Sequence, residues 1–334
     1  MTLALPLRFT PVYQTVVWGG RRMAAWRDDL PEGPVGESWD LADQDRGMSV
    51  VAEGALRGRT LRDLTAEFGP RLVGEGFAGG DFPLLIKLID ANDRLSVQVH
   101  PDDALAQELG LGERGKTECW FMLGDGGELF VGTVPGCTRE GFSAAREHGT
   151  LAAMLQRFEA RDGDFFMLDA RTVHALGRGC LLYEVQQSCD VTFRVDDWGR
   201  VGLDGKPRPL HIQESLATIA FDRRFDGPTA ARSFAHPQGG SCRRLVDGAY
   251  FAVEERRAGH TGGGGNGICS IVTCLGGAGT LATAAGGVPI RAMQTLLVPA
   301  DAGAWTATAD AGSALRLLAA QPALGGALAR QADH

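Results

Sequence analysis

Apolar and polar residues alternate along this chain in short runs closed by Gly, Pro, Asn or Asp, the pattern of half-buried β-strands joined by tight turns. The clearest runs are 82–90, 94–100, 118–123, 128–133, 164–168 and 180–195, with later ones at 250–255, 268–275 and 295–299. Helical spacing is rarer. Thr60 is placed to cap a helix carrying Leu61, Leu64 and Phe68 on one stripe. A second helix is expected over 141–158, with Leu151, Met154, Leu155 and Phe158 at helical intervals, and a third over 212–221 with Ile212, Leu216 and Ile219 inward. The pattern predicts a mainly β protein with a few packing helices.

Alternation also sorts the chemistry. In run 94–100, Leu95, Val97 and Val99 share one side of an extended strand, while Ser96, Gln98 and His100 share the other. Lys116-Thr117-Glu118 and Thr172-Val173-His174 offer matching partners, so Gln98, His100, Glu118 and His174 form a candidate ligand set for a divalent metal. Lys116 has the parity of Glu118, which puts its ammonium beside that carboxylate. In 183–196, Tyr183, Val185, Val191, Phe193 and Val195 take one side and Glu184, Gln186, Asp190, Thr192 and Arg194 the other, provided the strand runs unbroken past Ser188.

Composition narrows the picture. At 334 residues the chain can hold one large or two ordinary domains, and its 47 glycines favour turns over long helices. After about Phe234 charge thins and Gly rises, so a boundary is expected there: a first domain over 1–234 and a smaller β domain over 235–334. Gly262 to Gly265 reads as a loose connection between strands. A short echo relates Phe166 through His174 to Leu296 through Ala304, with Ala304 at the place of His174. A formal net charge of −8 argues against non-specific nucleic-acid binding. The seven cysteines are odd in number, scattered and without a CxxC pair, which suggests neither a disulfide framework nor a thiolate zinc site and fits a reducing cytoplasm. Residues 1–9 lack the apolar run of a signal peptide and no segment has the length of a membrane span, so a soluble cytoplasmic protein is expected.

Four stretches are distinctive together: PLLIKLIDANDRLSVQVHPDD from Pro83, GKTECWF from Gly115, GDFFMLDARTVHALGRG from Gly163 and EVQQSCDVTFRVDDWGR from Glu184. The third carries the Gly and His of a GxxxxxPxGxxH pattern and resembles the second motif of the cupins. With WGG at Trp18 and VGESW at Val35, the set resembles the type I mannose-6-phosphate isomerases of the shorter bacterial kind, over most of residues 10–220. The resemblance implies a cupin-type jelly-roll barrel with added short helices, followed by a smaller, degenerate cupin-like domain without metal ligands. It also implies one zinc ion per chain on Gln98, His100, Glu118 and His174.

By the same resemblance Arg194 is a catalytic arginine, Lys116 belongs to the active site, and Lys87 and Ser96 lie near the substrate, a small sugar phosphate. The expected reaction interconverts mannose 6-phosphate and fructose 6-phosphate through a cis-enediolate, with Glu184 favoured over Lys116 as the proton shuttle. Asp169 and Arg171 stand where the family has Pro and Gly, and Phe193 and Asp196 where it has Tyr. These departures touch substrate preference more than metal binding. Two other readings stay open: a non-catalytic cupin that senses a metal and a sugar phosphate, and an isomerase of another sugar.

Overall fold

The alternating runs pair into antiparallel ladders in the computed structural model, which describes residues 3–112, 114–236 and 240–324. The chain divides into two compact units. One combines Tyr13–Trp39 with Leu85–Thr229, and the other combines Met1–Val12, Asp40–Leu84 and Ala230–His334. Among the described residues no helix is long and apolar enough to cross a membrane.

Two sheets build the first unit. A six-stranded sheet has the order Phe165–Leu168, Glu118–Met122, Leu181–Gln187, Leu84–Asp90, Val35–Leu41, Val12–Gly20. A five-stranded sheet has the order Leu155–Glu159, Glu128–Thr133, His174–Leu176, Val97–Val99, Phe193–Asp196. Residues from both sheets, among them Trp18, Trp120, Met122, Leu129, Val131, Phe166 and Leu176, form one buried cluster. This is a jelly-roll core, two sheets face to face with apolar residues filling the gap. The opposite face of the five-stranded sheet presents Val97, Val99, Phe130, Ala175 and Phe193 to Phe142 of the helix Arg139–Glu147 and to Ile219 after the helix Ile212–Thr218. These helices cover a sheet face that would otherwise be greasy and exposed.

The second unit repeats the sandwich. Its eight-stranded sheet includes Phe251–Ala258, Leu315–Pro322, Ser270–Gly276, Gln294–Val298 and the N-terminal strand Leu7–Thr10. A four-stranded sheet has the order His260–Gly264, Ala304–Ala309, Ala278–Thr283, Gly286–Arg291. Val272, Cys274, Leu281, Leu296, Trp305 and Leu317 are part of its core.

Several local expectations change. The helix Leu61–Phe68 forms as read, with a capping box between Thr60 and Asp63. The second helix ends at Glu147, and Leu155 and Phe158 lie on a strand paired with Glu128–Thr133. Gly149, at φ +69°, permits the turn that stops it. The third helix stops at Thr218 and buries Ser215 and Thr218, whereas Ile212 and Leu216 are only half-buried. Run 94–100 is a strand only over Val97–Val99, and Leu95 joins the inner cluster rather than the outer one of Val97 and Val99. Run 180–195 splits into Leu181–Gln187 and Phe193–Asp196, which belong to different sheets. The buried Gln186 side chain donates to the carbonyls of Gln187 and Cys189, fixing the bend that ends the first strand. Gly262 and Gly263 lie inside the strand His260–Gly264, not in a loose connection. A Cβ on Gly263 would come within 2.8 Å of the Trp305 ring, so the close approach of that ring requires glycine.

Candidate metal centre and surrounding site

Strand register brings the predicted side chains to one place. His174 opens the strand His174–Leu176 and lies opposite Gln98, which in turn lies opposite Arg194. On the facing sheet Glu118 opposes Gln186, and Trp120 opposes Glu184. Residues directly opposite in a ladder share a face, and in both sheets this is the face toward the inner core. Arg194 therefore keeps the face of Gln98 even though the strand expected to carry it past Ser188 is broken.

Three of the four proposed ligands form a tight buried group. One donor atom each from His100, Glu118 and His174 lies within 4.8 Å of the others, a ligand set able to hold a divalent metal ion. His174 Nε2 is 3.2 Å from Glu118 Oε1, and His100 Nε2 is 3.7 Å from Glu118 Oε2. Both imidazoles are held from behind: His100 Nδ1 donates to the Val191 carbonyl and His174 Nδ1 to the Thr172 carbonyl, each at 2.8 Å. A carbonyl only accepts, so the proton sits on Nδ1 and the Nε2 lone pair of each neutral ring points at the shared centre. Burial, with the Lys116 ammonium adding to it, keeps His100 well below the usual imidazole range. Burial likewise holds His174 down against the opposing pull of Glu118.

The electrostatics ask for a cation. Two lone pairs face a carboxylate whose buried oxygens accept no hydrogen bond of normal angle. The Lys116 ammonium reaches this space, 2.6 Å from Glu118 Oε2 and 3.2 Å from His100 Nε2. It meets one edge of the cluster and leaves the His174 side open. The Gln98 side-chain amide lies 3.3 Å from His174 Nε2. Turning that amide by 180° presents its oxygen instead of its nitrogen, the form a metal ligand takes. Imidazole, carboxylate and amide oxygen are a donor set a divalent transition metal accepts.

Next to this cluster is a second charged layer. Lys87 places its ammonium 3.2 Å from Glu184 Oε1, 3.6 Å from Glu37 Oε2 and 5.2 Å from the Trp39 ring centroid. The Trp120 indole N–H donates to Glu184 Oε2 at 2.9 Å. Burial opposes charge on both partners, yet Lys87 and Lys116 bring the Glu184 carboxyl below its ordinary range. The carboxylates of Glu37, Glu184, Asp190 and Glu118 in turn raise Lys87 above its ordinary value despite burial. Lys116 is raised too, burial being outweighed by Glu118 and Glu184. Neither Glu184 nor Lys116 is tuned toward neutrality: one is anionic and the other cationic at pH 7.

The remaining predicted residues fall nearby. Ser96 is buried two residues before Gln98. Arg194 donates its Nη1 to the Pro209 carbonyl at 2.9 Å. Arg171, in the place of the motif glycine, adopts φ +73°, and its backbone N–H donates to the His100 carbonyl at 2.7 Å. The left-handed turn of the motif thus survives the substitution. The alternation argument did not single out Glu37, Trp39 or Trp120. Trp120 was reachable, because it shares the parity of Glu118 and any buried indole needs an acceptor. Backbone carbonyls behind the imidazoles have no side-chain signal.

Fold and cluster together define a cupin-type β protein with an inward-facing site built for a divalent metal. Residues 7–117 match the model of the phosphomannose isomerase type I catalytic domain. The mannose-6-phosphate isomerase ManA of Bacillus subtilis is 39% identical over 216 residues, 64% of this chain and 68% of that protein. A mannose-6-phosphate isomerase of Streptococcus mutans is 36% identical over 254 residues, 75% of this chain and 78% of that one. The crystal structure of the Bacillus subtilis mannose 6-phosphate isomerase superposes with a TM-score of 0.87 at 29% identity, covering 95% of this chain and 99% of that one. The chain belongs to the type I mannose-6-phosphate isomerases.

Proposed function

We propose that this chain interconverts mannose 6-phosphate and fructose 6-phosphate in a reducing cytoplasm, with one zinc ion on Gln98, His100, Glu118 and His174. The observation that carries the reading is the convergence of two carbonyl-oriented imidazoles on the buried Glu118 carboxylate. The bound ion would act as a Lewis acid toward the sugar oxygens and leave a coordination position for substrate. The rest is assigned to the chain's own groups. The C2 proton goes to the base, and the C2–H electrons form the C1–C2 double bond of a cis-enediolate as the C1 carbonyl π pair moves to O1. The enediolate collapses when O2 gives up its proton, its electron pair forms the C2 carbonyl and the double-bond pair takes a proton at C1. Glu184, kept ionised by Lys87 and oriented by Trp120, is assigned as the base. Lys116 is assigned as a cationic donor that holds the sugar oxygens by hydrogen bonds and steadies their negative charge. Arg194, on the face of Gln98, would stabilise the negative charge that develops on those oxygens. Lys87 and Ser96 are assigned to substrate binding, the first as a point charge and the second as a hydroxyl donor.

The test pairs metal analysis with a coupled isomerase assay on the wild type and on His174→Ala. The wild type is expected to hold one zinc per chain, to lose turnover on chelation and to regain it with zinc. His174→Ala is expected to lose metal and turnover together, and a fully metallated, fully active variant removes His174 from the site. Exchange of solvent deuterium into C2 separates catalysis from the sensor reading, which allows binding without exchange. Comparing phosphorylated with free mannose settles the substrate class.

A further inference from the structure

The second unit carries a polar cavity that the isomerase reading does not use. It has a volume of about 250 Å³ and is lined by Arg244, Arg256, Trp305, Asn266, Ser270 and Gln321 among others. Trp305 and Ala319, which line it, also belong to the apolar core of this unit, so the cavity opens where that core ends.

Its charges are arranged rather than scattered. Glu254 bridges the two arginines, with Oε1 2.5 Å from Arg244 and Oε2 2.6 Å from Arg256. Arg256 lies over the Trp305 ring at 5.4 Å and also donates to the Gly262 carbonyl. Asp247 also pairs with Arg244, at 2.9 Å, so two guanidinium groups meet two carboxylates and the cluster is balanced in charge. Three donors are left over: Arg244 Nε, Arg256 Nε and Trp305 Nε1 are buried and meet no acceptor among the described residues. Trp305 is 2% exposed and Arg256 9%, so water does not freely serve them. A network built only to hold the fold would satisfy its buried donors, because each unmet one carries an uncompensated desolvation cost.

We propose that this cavity is a second ligand site, distinct from the metal centre, for a small anion rich in acceptor oxygens, a phosphorylated or acidic monosaccharide. Its anionic group accepts from the unmet N–H donors of Arg244, Arg256 and Trp305. Hydroxyl groups suit Asn266, Ser270 and Gln321, whose side chains both donate and accept. The volume, about eight times that of a water in the liquid, is on the scale of one monosaccharide and excludes nucleotides and larger cofactors.

Indole N–H signals in a two-dimensional NMR spectrum of the whole protein test the proposal, with inorganic phosphate, mannose 6-phosphate, fructose 6-phosphate and free mannose as probes. Trp305→Phe keeps an aromatic ring without the N–H and identifies the Trp305 signal by its loss. In the wild type this signal is expected to shift and saturate with the phosphorylated sugars, weakly with phosphate and not with free mannose. Removing one charged donor with Arg256→Gln is expected to weaken that binding about tenfold or more, while isomerase turnover stays as in the wild type. An unmoved Trp305 signal with every probe overturns the proposal, and so does undiminished affinity in a folded Arg256→Gln. If Arg256→Gln does not fold, the wild-type titration and the affinity of Trp305→Phe by calorimetry decide the matter alone. His174→Ala, which disables the metal centre, is expected to leave the Trp305 titration unchanged, and a loss there would assign the shift to that centre instead.

Discussion

Lys87→Met tests whether the charges beside the metal centre form one balanced network. Lys87 is 5% exposed, with carboxylate oxygens of Glu184 and Glu37 at 3.2 and 3.6 Å. At an effective dielectric near 20, each contact is worth about 5 kcal/mol of Coulomb attraction. Methionine preserves length and volume, and the burial cost of the ammonium, itself several kcal/mol, disappears with the charge. The expected net loss of stability is about 3–5 kcal/mol, the range for removing one partner of a buried ion pair.

The sign of the pH dependence follows from Glu184. In the wild type burial pushes this carboxyl up, but Lys87 and Lys116, with the Trp120 N–H, hold it below its unfolded value. It therefore contributes stability that is present above the unfolded pKa and is lost as pH falls through the folded one. Without Lys87, burial regains weight and the carboxyl rises. The deficit of the variant is thus greatest near neutrality and narrows in acid, where Glu184 is protonated in both proteins. Urea unfolding at about pH 5 and about pH 8 measures the difference. Adding Glu184→Gln to Lys87→Met is expected to recover much of the loss, because it removes the stranded charge. A deficit that does not change with pH, or a double variant whose loss equals the sum of the two single losses, would refute the network.

Further outcomes follow from local geometry. Six of the seven cysteines are buried and only Cys137 is partly accessible, with burial pushing Cys180 up to about 12. A thiol reagent at pH 8 is therefore expected to modify at most one cysteine in the native protein and all seven after denaturation; rapid labelling of several in the folded state would contradict the burial. Arg171 holds φ +73°, so Arg171→Val is expected to cost about 1–3 kcal/mol in thermal or urea unfolding, since a β-branched residue is strained there. Arg171→Gly should stay within about 1 kcal/mol of the wild type, relief of strain offsetting the lost hydrogen bond from Arg171 Nε to the Thr218 carbonyl. Gly263→Ala pushes a methyl group to 2.8 Å from the buried Trp305 ring. It is expected to cost about 1–3 kcal/mol by overpacking, and unchanged unfolding would show that the ring can yield.

Legibility in the sequence depended on range. Parity is a local property, so Lys116 could be read as sharing the side of Glu118, two residues on, and the two side chains meet at 2.6 Å, whereas Gln98 and His174 stand on separate strands and meet only through the ladder between them. Parity failed wherever a side chain reshaped the backbone. Gln186 reads as one more polar residue on an alternating strand, yet its amide closes the bend that sends the chain to a different sheet. Leu95 reads as the partner of Val97 and Val99, yet the strand starts only at Val97. The helix expected over 141–158 failed differently: Leu155 and Phe158 fit a helical stripe, but Gly149 offered the chain a turn and Glu128–Thr133 offered it a pairing edge. Periodicity states which faces are apolar, and it does not state which partner will cover them.

The short echo between the two units covers the order of strands and stops short of the site chemistry. Phe165–Leu168 leads into a strand that begins with His174, and Gln294–Val298 leads into a strand that begins with Ala304. Ala304 is exposed while Trp305 and Ala307 of its strand face the core, whereas His174 is buried, so the residue aligned with His174 does not stand at an inward position. Inward polarity in the second unit is carried by other positions. On Phe251–Ala258, Ala252, Glu254 and Arg256 alternate with Val253, Glu255 and Arg257, and the first set lines the cavity. The second set faces away, with Glu255 paired to Arg243, Arg257 and Arg316. A sandwich of this kind fills its centre with apolar side chains and leaves a polar end. The N–H donors of arginine and tryptophan at that end suit acceptor oxygens, where imidazole and carboxylate suit a cation.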